Sequence, residues 1–250
     1  MKASILFGLM IALISIAGCL EMENPAPTAV ENESLEISSG GQNYPAYLAA
    51  PAGGGPWPAV VLIHSFNGLE PGYKTMADKL AGEGFVVIAP QWQTFNRTPA
   101  DAVVGQLISD SVAALKEREE VDSKRLGLTG FCAGGRYTML FLPQMKDFGS
   151  GLAWYGFPYS GGFNNETLPA NLVSQLDSPM LIIHGTRDQA SPVEDIFRYA
   201  MALDRGNKYF EMKIYQGEPH GFMIEDGQLS QSFPAQDAFA QMASFFNRTL

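Results

Sequence analysis

Cysteine is almost missing from this chain of 250 residues, occurring only at Cys19 and Cys132. With Cys19 at the end of an N-terminal leader, no internal disulfide is available to the mature protein, so stability has to come from a packed core. A chain of this length can build one. Basic residues are scarce as well: 16 Lys and Arg stand against 26 Asp and Glu, a formal net charge of −10. Binding a phosphate backbone needs a basic stripe, and none is present, which excludes nucleic acid as a partner. Long apolar runs are absent except near the start, where Ile5 to Ala17 falls short of the ~20 residues that span a bilayer. There is no internal repeat and no insertion long enough for a large lid domain.

That apolar run follows Lys2 and ends in Ile16-Ala17-Gly18-Cys19, small residues leading to a cysteine. The pattern resembles a lipoprotein signal in which Cys19 becomes the lipidated first residue, with an ordinary cleaved signal peptide as the alternative. It implies an exported protein held by an N-terminal lipid anchor at the outer face of a cell membrane. Residues 1–18 are therefore read as the signal. Residues 19–34, acidic and carrying Pro25 and Pro27 without an apolar period, are read as a solvated tether. The folded domain is expected over 35–250.

Ala59 to Ile63 and Phe85 to Ala89 are continuous β-branched apolar runs, the pattern of strands buried on both faces of a parallel sheet. Between them Tyr73, Met76, Ala77, Leu80 and Ala81 keep helical spacing, and Gly84 sits where a C-terminal cap belongs. The alternation recurs: a helix through Val104 to Leu115 precedes a strand at Arg125 to Thr129, and one through Val193 to Met201 precedes Phe210 to Tyr215. Ser191, Pro192 and Glu194 form a capping-box pattern for that second helix. A last helix carries Ala235, Ala238, Phe239, Met242 and Phe246 on one face. Strand alternating with helix predicts a doubly wound, mostly parallel α/β sheet, with an antiparallel edge hairpin near Leu35 to Ala49.

Three loops carry the chemistry. Gly130-Phe131-Cys132-Ala133-Gly134-Gly135 places a cysteine at the centre of a Gly-x-nucleophile-x-Gly turn, where a sharp strand-to-helix bend needs glycine on both sides. His184-Gly185-Thr186-Arg187-Asp188 follows the strand Met180 to Ile183. Gly217-Glu218-Pro219-His220-Gly221-Phe222 follows the strand ending at Tyr215. The order nucleophile, acid, base is that of α/β-hydrolases rather than of other triad scaffolds. These segments resemble the dienelactone hydrolase family, the α/β-hydrolase branch that uses cysteine, and the resemblance covers the whole of 35–250.

The resemblance implies a Cys132–His220–Asp188 triad. Cys132 attacks an acyl carbonyl as thiolate, aided by the helix start at Ala133; His220 moves the proton; Asp188 holds the imidazole. A cysteine buried for packing, an exposed loop histidine and a turn aspartate are the plain alternatives. The amides of Ala133 and Phe66 would form the oxyanion hole. No cofactor is implied and no metal, because His64 has no other ligand at metal-binding spacing.

Two family features are missing. The founding enzymes carry a glutamate in the oxyanion loop where this chain has Ser65, and arginines near the site where Gly221 to Ile224 supply none. An anionic clamp would then depend on Arg97, Arg136 or Arg187. Trp92, Trp154, Tyr155, Phe157 and Phe222 are read instead as an apolar rim. The expected partner is a small-molecule ester or lactone, neutral or apolar. The rival from another class is a non-catalytic binding or redox-sensing lipoprotein on the same scaffold.

Overall fold

The computed structural model describes residues 29–250. The signal segment, Cys19 and most of the tether lie outside the described residues.

Eight strands form one sheet, and their spatial order is β1-β2-β4-β3-β5-β6-β7-β8. The chain runs through β1 (Val30–Ser39), β2 (Gln42–Pro51), β3 (Trp57–Ile63), α1 (Pro71–Gly82), β4 (Val86–Pro90) and α2 (Asp101–Lys116). It continues with β5 (Val121–Phe131), α3 (Ala133–Phe141), β6 (Ser150–Trp154), β7 (Met180–Gly185), α4 (Val193–Arg205) and β8 (Phe210–Tyr215). A short hairpin, β9 (Ile224–Glu225) and β10 (Gln228–Leu229), precedes α5 (Phe233–Thr249). β2 is antiparallel to both its neighbours, and every pairing from β4 through β8 is parallel.

The β-branched runs occupy the middle of the sheet because they have a core on each side. Along β3, Val61 and Ile63 pack with α2, α3 and α4 residues such as Ile108, Tyr137 and Tyr199 on one face. Val60 and Leu62 pack with Met76, Leu80, Met242 and Phe246 of α1 and α5 on the other. Each of these β3 side chains is 0 % exposed. Burying such a side chain contributes roughly 1.5–3 kcal/mol, so the central strands anchor the positions of the loops at their carboxyl ends.

Two boundaries differ from the sequence expectation. β1 begins at Val30, inside the segment read as tether, and its backbone pairs with β2 along its full length from Val30–Pro51 to Ser39–Gln42. Glu31, Asn32 and Glu33 point largely to solvent, so an edge strand held by its backbone left no apolar period to read. At α4 the capping residue is Pro192, and no side chain caps the helix. Ser191 Oγ instead donates to the Gly156 carbonyl at 2.7 Å, tying the turn before α4 to the segment after β6.

Candidate active site

Cys132 stands alone between the end of β5 and the start of α3, with φ 58° and ψ −113°. A positive φ at a non-glycine residue is strained, and it persists only where the surroundings over-determine it. Those surroundings are visible in the hydrogen bonds: Cys132 N–H donates to the Trp154 carbonyl at 3.1 Å, and its own carbonyl accepts from Arg136 N–H at 3.0 Å. The glycines are equally specific. A Cβ on Gly130 would collide with the Gly134 carbonyl, one on Gly134 with the Ile63 carbonyl, and one on Gly135 with the Trp154 carbonyl. Gly134 and Gly135 therefore begin α3 despite their poor helix propensity, because β3, β6 and the helix meet there backbone to backbone.

Asp188 follows β7 in a tight turn and is fully buried at its carboxylate. One oxygen accepts from the amides of Ala190 at 2.9 Å and Ser191 at 2.8 Å. The other accepts from His220 Nδ1 at 2.7 Å. Behind it His184 Nε2 donates to the Ser191 carbonyl at 2.8 Å and lies 3.4 Å from the same carboxylate oxygen. Burial lowers the pKa of His184 and so favours its neutral form, and the bond to the Ser191 carbonyl makes the ring a brace for the turn.

His220 extends from the loop after β8. Burial pulls its pKa down, but the Asp188 hydrogen bond, the nearness of Cys132 and the charges of both outweigh it and raise the value to about 9. Nδ1 is taken by Asp188, while Nε2 is buried without a formed hydrogen bond. Cys132 is close enough to act on the imidazole electrostatically, in a geometry that can tighten when substrate arrives. The ring is held edge-on by Tyr155 at 5.0 Å and tilted against Phe157 at 5.4 Å.

Phe66 follows β3, and Ala133 opens α3. Among the described residues neither amide is committed to another backbone acceptor. The strand end beneath Phe66 is pinned by His64, which is buried and stacked on Trp92 at 5.3 Å. His64 Nδ1 donates to the Ser65 carbonyl at 2.7 Å, and Trp92 Nε1 donates to the His64 carbonyl at 3.1 Å. Burial lowers the His64 pKa to about 4 in spite of the Ser65 bond, so the ring is neutral.

Two cavities open from Cys132. The larger, about 520 Å³, is bordered by Asn67, Glu70, Tyr73, Tyr155, His220 and Asp226. The smaller, about 300 Å³, is bordered by Ala133, Tyr137, Phe157, Ser160 and Phe163. Phe66 and Phe157, like Cys132, line both.

The aromatic rim expected from sequence is only partly there. Tyr155 and Phe157 line the larger cavity. Trp92, Trp154 and Phe222 are buried, Trp154 stacking on Phe131 at 4.8 Å and Phe222 packing on Tyr155 and Tyr215. None of the three arginines borders the larger cavity. Arg136 is buried and forks onto Asp101 with two bonds of 2.7 Å, and it also donates to the carbonyls of Ser160 at 2.8 Å and Thr167 at 2.9 Å. That leaves one of its five N–H groups free. Arg97 lies over the Phe66 ring at 4.5 Å, and Arg187 borders neither cavity.

Glu70 and Asp226 carried no motif in the sequence, yet both border the larger cavity. Glu70 is the N-terminal flanking residue of α1, just ahead of Pro71. Asp226 and Gly227 form the turn between β9 and β10 with φ of 50° and 75°, and Gly227 accepts from Gly72 N–H at 2.9 Å. The hairpin thus sits on the start of α1 and brings Asp226 to the mouth of the cavity. The Asp-Gly pair was the only local signal for it.

The pattern of the dienelactone hydrolase family matches residues 44–102 and 92–250. A Methylorubrum extorquens protein named "Putative carboxymethylenebutenolidase" is 30% identical over 224 residues, covering 82% of this chain and 76% of its own. An Escherichia coli protein of the same name is 29% identical over 230 residues, 85% of each chain. Among solved structures, a Klebsiella pneumoniae protein described as "Putative Dienelactone Hydrolase" superposes with a TM-score of 0.80 at 25% identity, over 88% of this chain and 100% of its own. The acylaminoacyl peptidase of Pyrococcus horikoshii shares the fold, with a TM-score of 0.73 at 18% identity over 88% of this chain and 42% of its own.

Proposed function

Since the chain belongs to the dienelactone hydrolase family and is a hydrolase of the ester or lactone type with the α/β-hydrolase fold, we propose that it cleaves small carboxylic esters or lactones through Cys132, His220 and Asp188. The observation that carries this reading is the 2.7 Å bond from His220 Nδ1 to the buried Asp188 carboxylate, on an imidazole that borders the same cavity as the strained, partly exposed Cys132.

In the first step the Cys132 thiolate adds to the acyl carbonyl, and the oxyanion is met by the amides of Phe66 and Ala133. The C–O bond breaks as protonated His220 delivers its proton to the departing alkoxide. Water, deprotonated by His220, then adds to the acyl-cysteine thioester; the C–S bond breaks, releasing the acid and restoring the Cys132 thiolate beside protonated His220. Asp188 remains ionised throughout and orients the ring. A lactone follows the same path with its alkoxide tethered to the acyl group. The reading is tested with p-nitrophenyl acetate and butyrate on the purified protein. Cys132→Ala and His220→Ala are each expected to abolish turnover, and activity surviving both changes sinks the mechanism. A purely binding or redox-sensing protein would instead show Cys132 reacting with iodoacetamide at the rate of an ordinary thiol, whose pKa is ~8.5.

We propose further that the protein is exported and carries lipid on Cys19, a reading supported by the leader pattern in the sequence. Intact mass of the membrane fraction tests it: a mature chain that starts elsewhere or lacks acyl mass refutes it.

A further inference from the structure

We infer that this esterase site is polarised, taking an apolar acyl group in the smaller cavity and a neutral-to-cationic leaving group in the larger one. The inference rests on the reaction proposed above and names the substrate class for it.

The orientation follows from where the proton must go. The group that departs has to lie beside the acid that protonates it, and His220 borders the larger cavity but not the smaller. The acyl chain is left with the smaller cavity, whose wall is Phe66, Tyr137, Phe157 and Phe163 beside the oxyanion donor Ala133. Arg136 also borders that space, but its committed hydrogen bonds leave it little to offer a carboxylate.

The sign of the charge follows from which ions face the leaving group. Glu70 and Asp226 border the larger cavity, and no Lys or Arg does. The positive charge of the His220 imidazolium is offset by Asp188 behind it and by the Cys132 thiolate before it. Beyond His220 the surface is bordered by Glu218 and Glu225, of the same sign. Burial raises the Glu70 pKa, meaning that its carboxylate is short of hydration and gains from a cation or a hydroxyl donor beside it. Arg97 is laid over the Phe66 ring at 4.5 Å and does not border the larger cavity. An anionic lactone would thus meet two carboxylates where a clamp should be.

Three butyrate esters of equal bulk decide the matter. Their phenols carry, on an insulating para methylene, a trimethylammonium, a tert-butyl or a sulfonate group, and each rate is divided by that ester's spontaneous hydrolysis. At low salt kcat/KM is expected to rank cation, neutral, anion, with cation over anion by at least ten-fold; the ratio should contract in 1 M salt, where screening acts over about 3 Å. Glu70→Gln should cut the ratio about ten-fold, and Asp226→Asn, which suits a turn with positive φ, should cut it less because Asp226 is exposed. Lengthening the acyl chain from acetate to butyrate should raise kcat/KM about ten-fold as two methylenes enter the apolar cavity. Equal rates for the three esters, or a ratio unchanged in the Glu70→Gln, Asp226→Asn double variant, overturns the inference while leaving Cys132-dependent hydrolysis standing. Hydrolysis of the neutral ester that survives Cys132→Ala overturns the underlying reaction, and this inference with it.

Discussion

Replacing Asp188 by Asn separates the orientation of the base from the folding of its turn. In the native turn one carboxylate oxygen accepts the Ala190 and Ser191 amides, and the other accepts His220 Nδ1–H. An Asn carbonyl can keep both backbone bonds, which leaves its NH₂ 2.7 Å from Nδ1. That NH₂ can only donate, so Nδ1 must become the acceptor and the ring proton moves to Nε2, the nitrogen required to take the thiol proton. The same tautomer error in a serine triad lowers the rate about 10⁴-fold; here a 10³- to 10⁴-fold fall in kcat/KM is expected, about 4 to 5.5 kcal/mol. Loss of the charged acceptor should cost only about 1–3 kcal/mol of folding stability. The assay pairs p-nitrophenyl butyrate kinetics with a urea titration of the same sample. The His220 titration, followed by NMR, should fall from about 9 once the Asp188 charge is gone. A folded Asp188→Asn variant that retains more than a tenth of the wild-type kcat/KM would refute the reasoning.

The His220 pKa lies above its ordinary 6.5, so the protonated ring is favoured by folding; that stabilisation is complete below pH ~6.5 and disappears as pH rises through about 9. Urea midpoints should decline over this window in the wild type and be flatter in His220→Gln, and kcat/KM should fall above about pH 9 as the leaving-group acid is lost. Gly134→Ala drives a methyl group into the Ile63 carbonyl and crowds that of His64, so it should destabilise by about 3 kcal/mol or more and move the Phe66 amide, a change that thermal unfolding and residual esterase activity will report together. Arg136→Met strands the buried Asp101 carboxylate and should cost about 3–5 kcal/mol by denaturant titration, whereas Arg136→Met with Asp101→Leu should recover most of it.

The strand-to-helix bend at Cys132 was legible because much of it is local. A Gly-x-Cys-x-Gly bend writes part of its sterics into adjacent residues, since Gly130 answers to the Gly134 carbonyl of the bend itself, while Gly134 and Gly135 answer to carbonyls of the neighbouring strands β3 and β6. The alternation of apolar strand and amphipathic helix likewise encodes a sheet covered on both faces. The β1 start at Val30 was hidden because backbone pairing at an edge leaves no side-chain period. The Ser191 cap failed because its hydroxyl had a better partner across the chain, at Gly156.

By itself, then, the chain's sequence determined the scaffold and the order of its three motif loops, each a matter of neighbouring residues and their periodicity. Only the tertiary structure decided what surrounds Cys132. It brought Glu70 from the start of α1 and Asp226 from the β9–β10 turn to one cavity, withdrew Trp92 and Trp154 into the core, and bound Arg136 to Asp101. Which charges face a substrate depends on side-chain direction and on contacts between distant segments, and these arise when the layers pack.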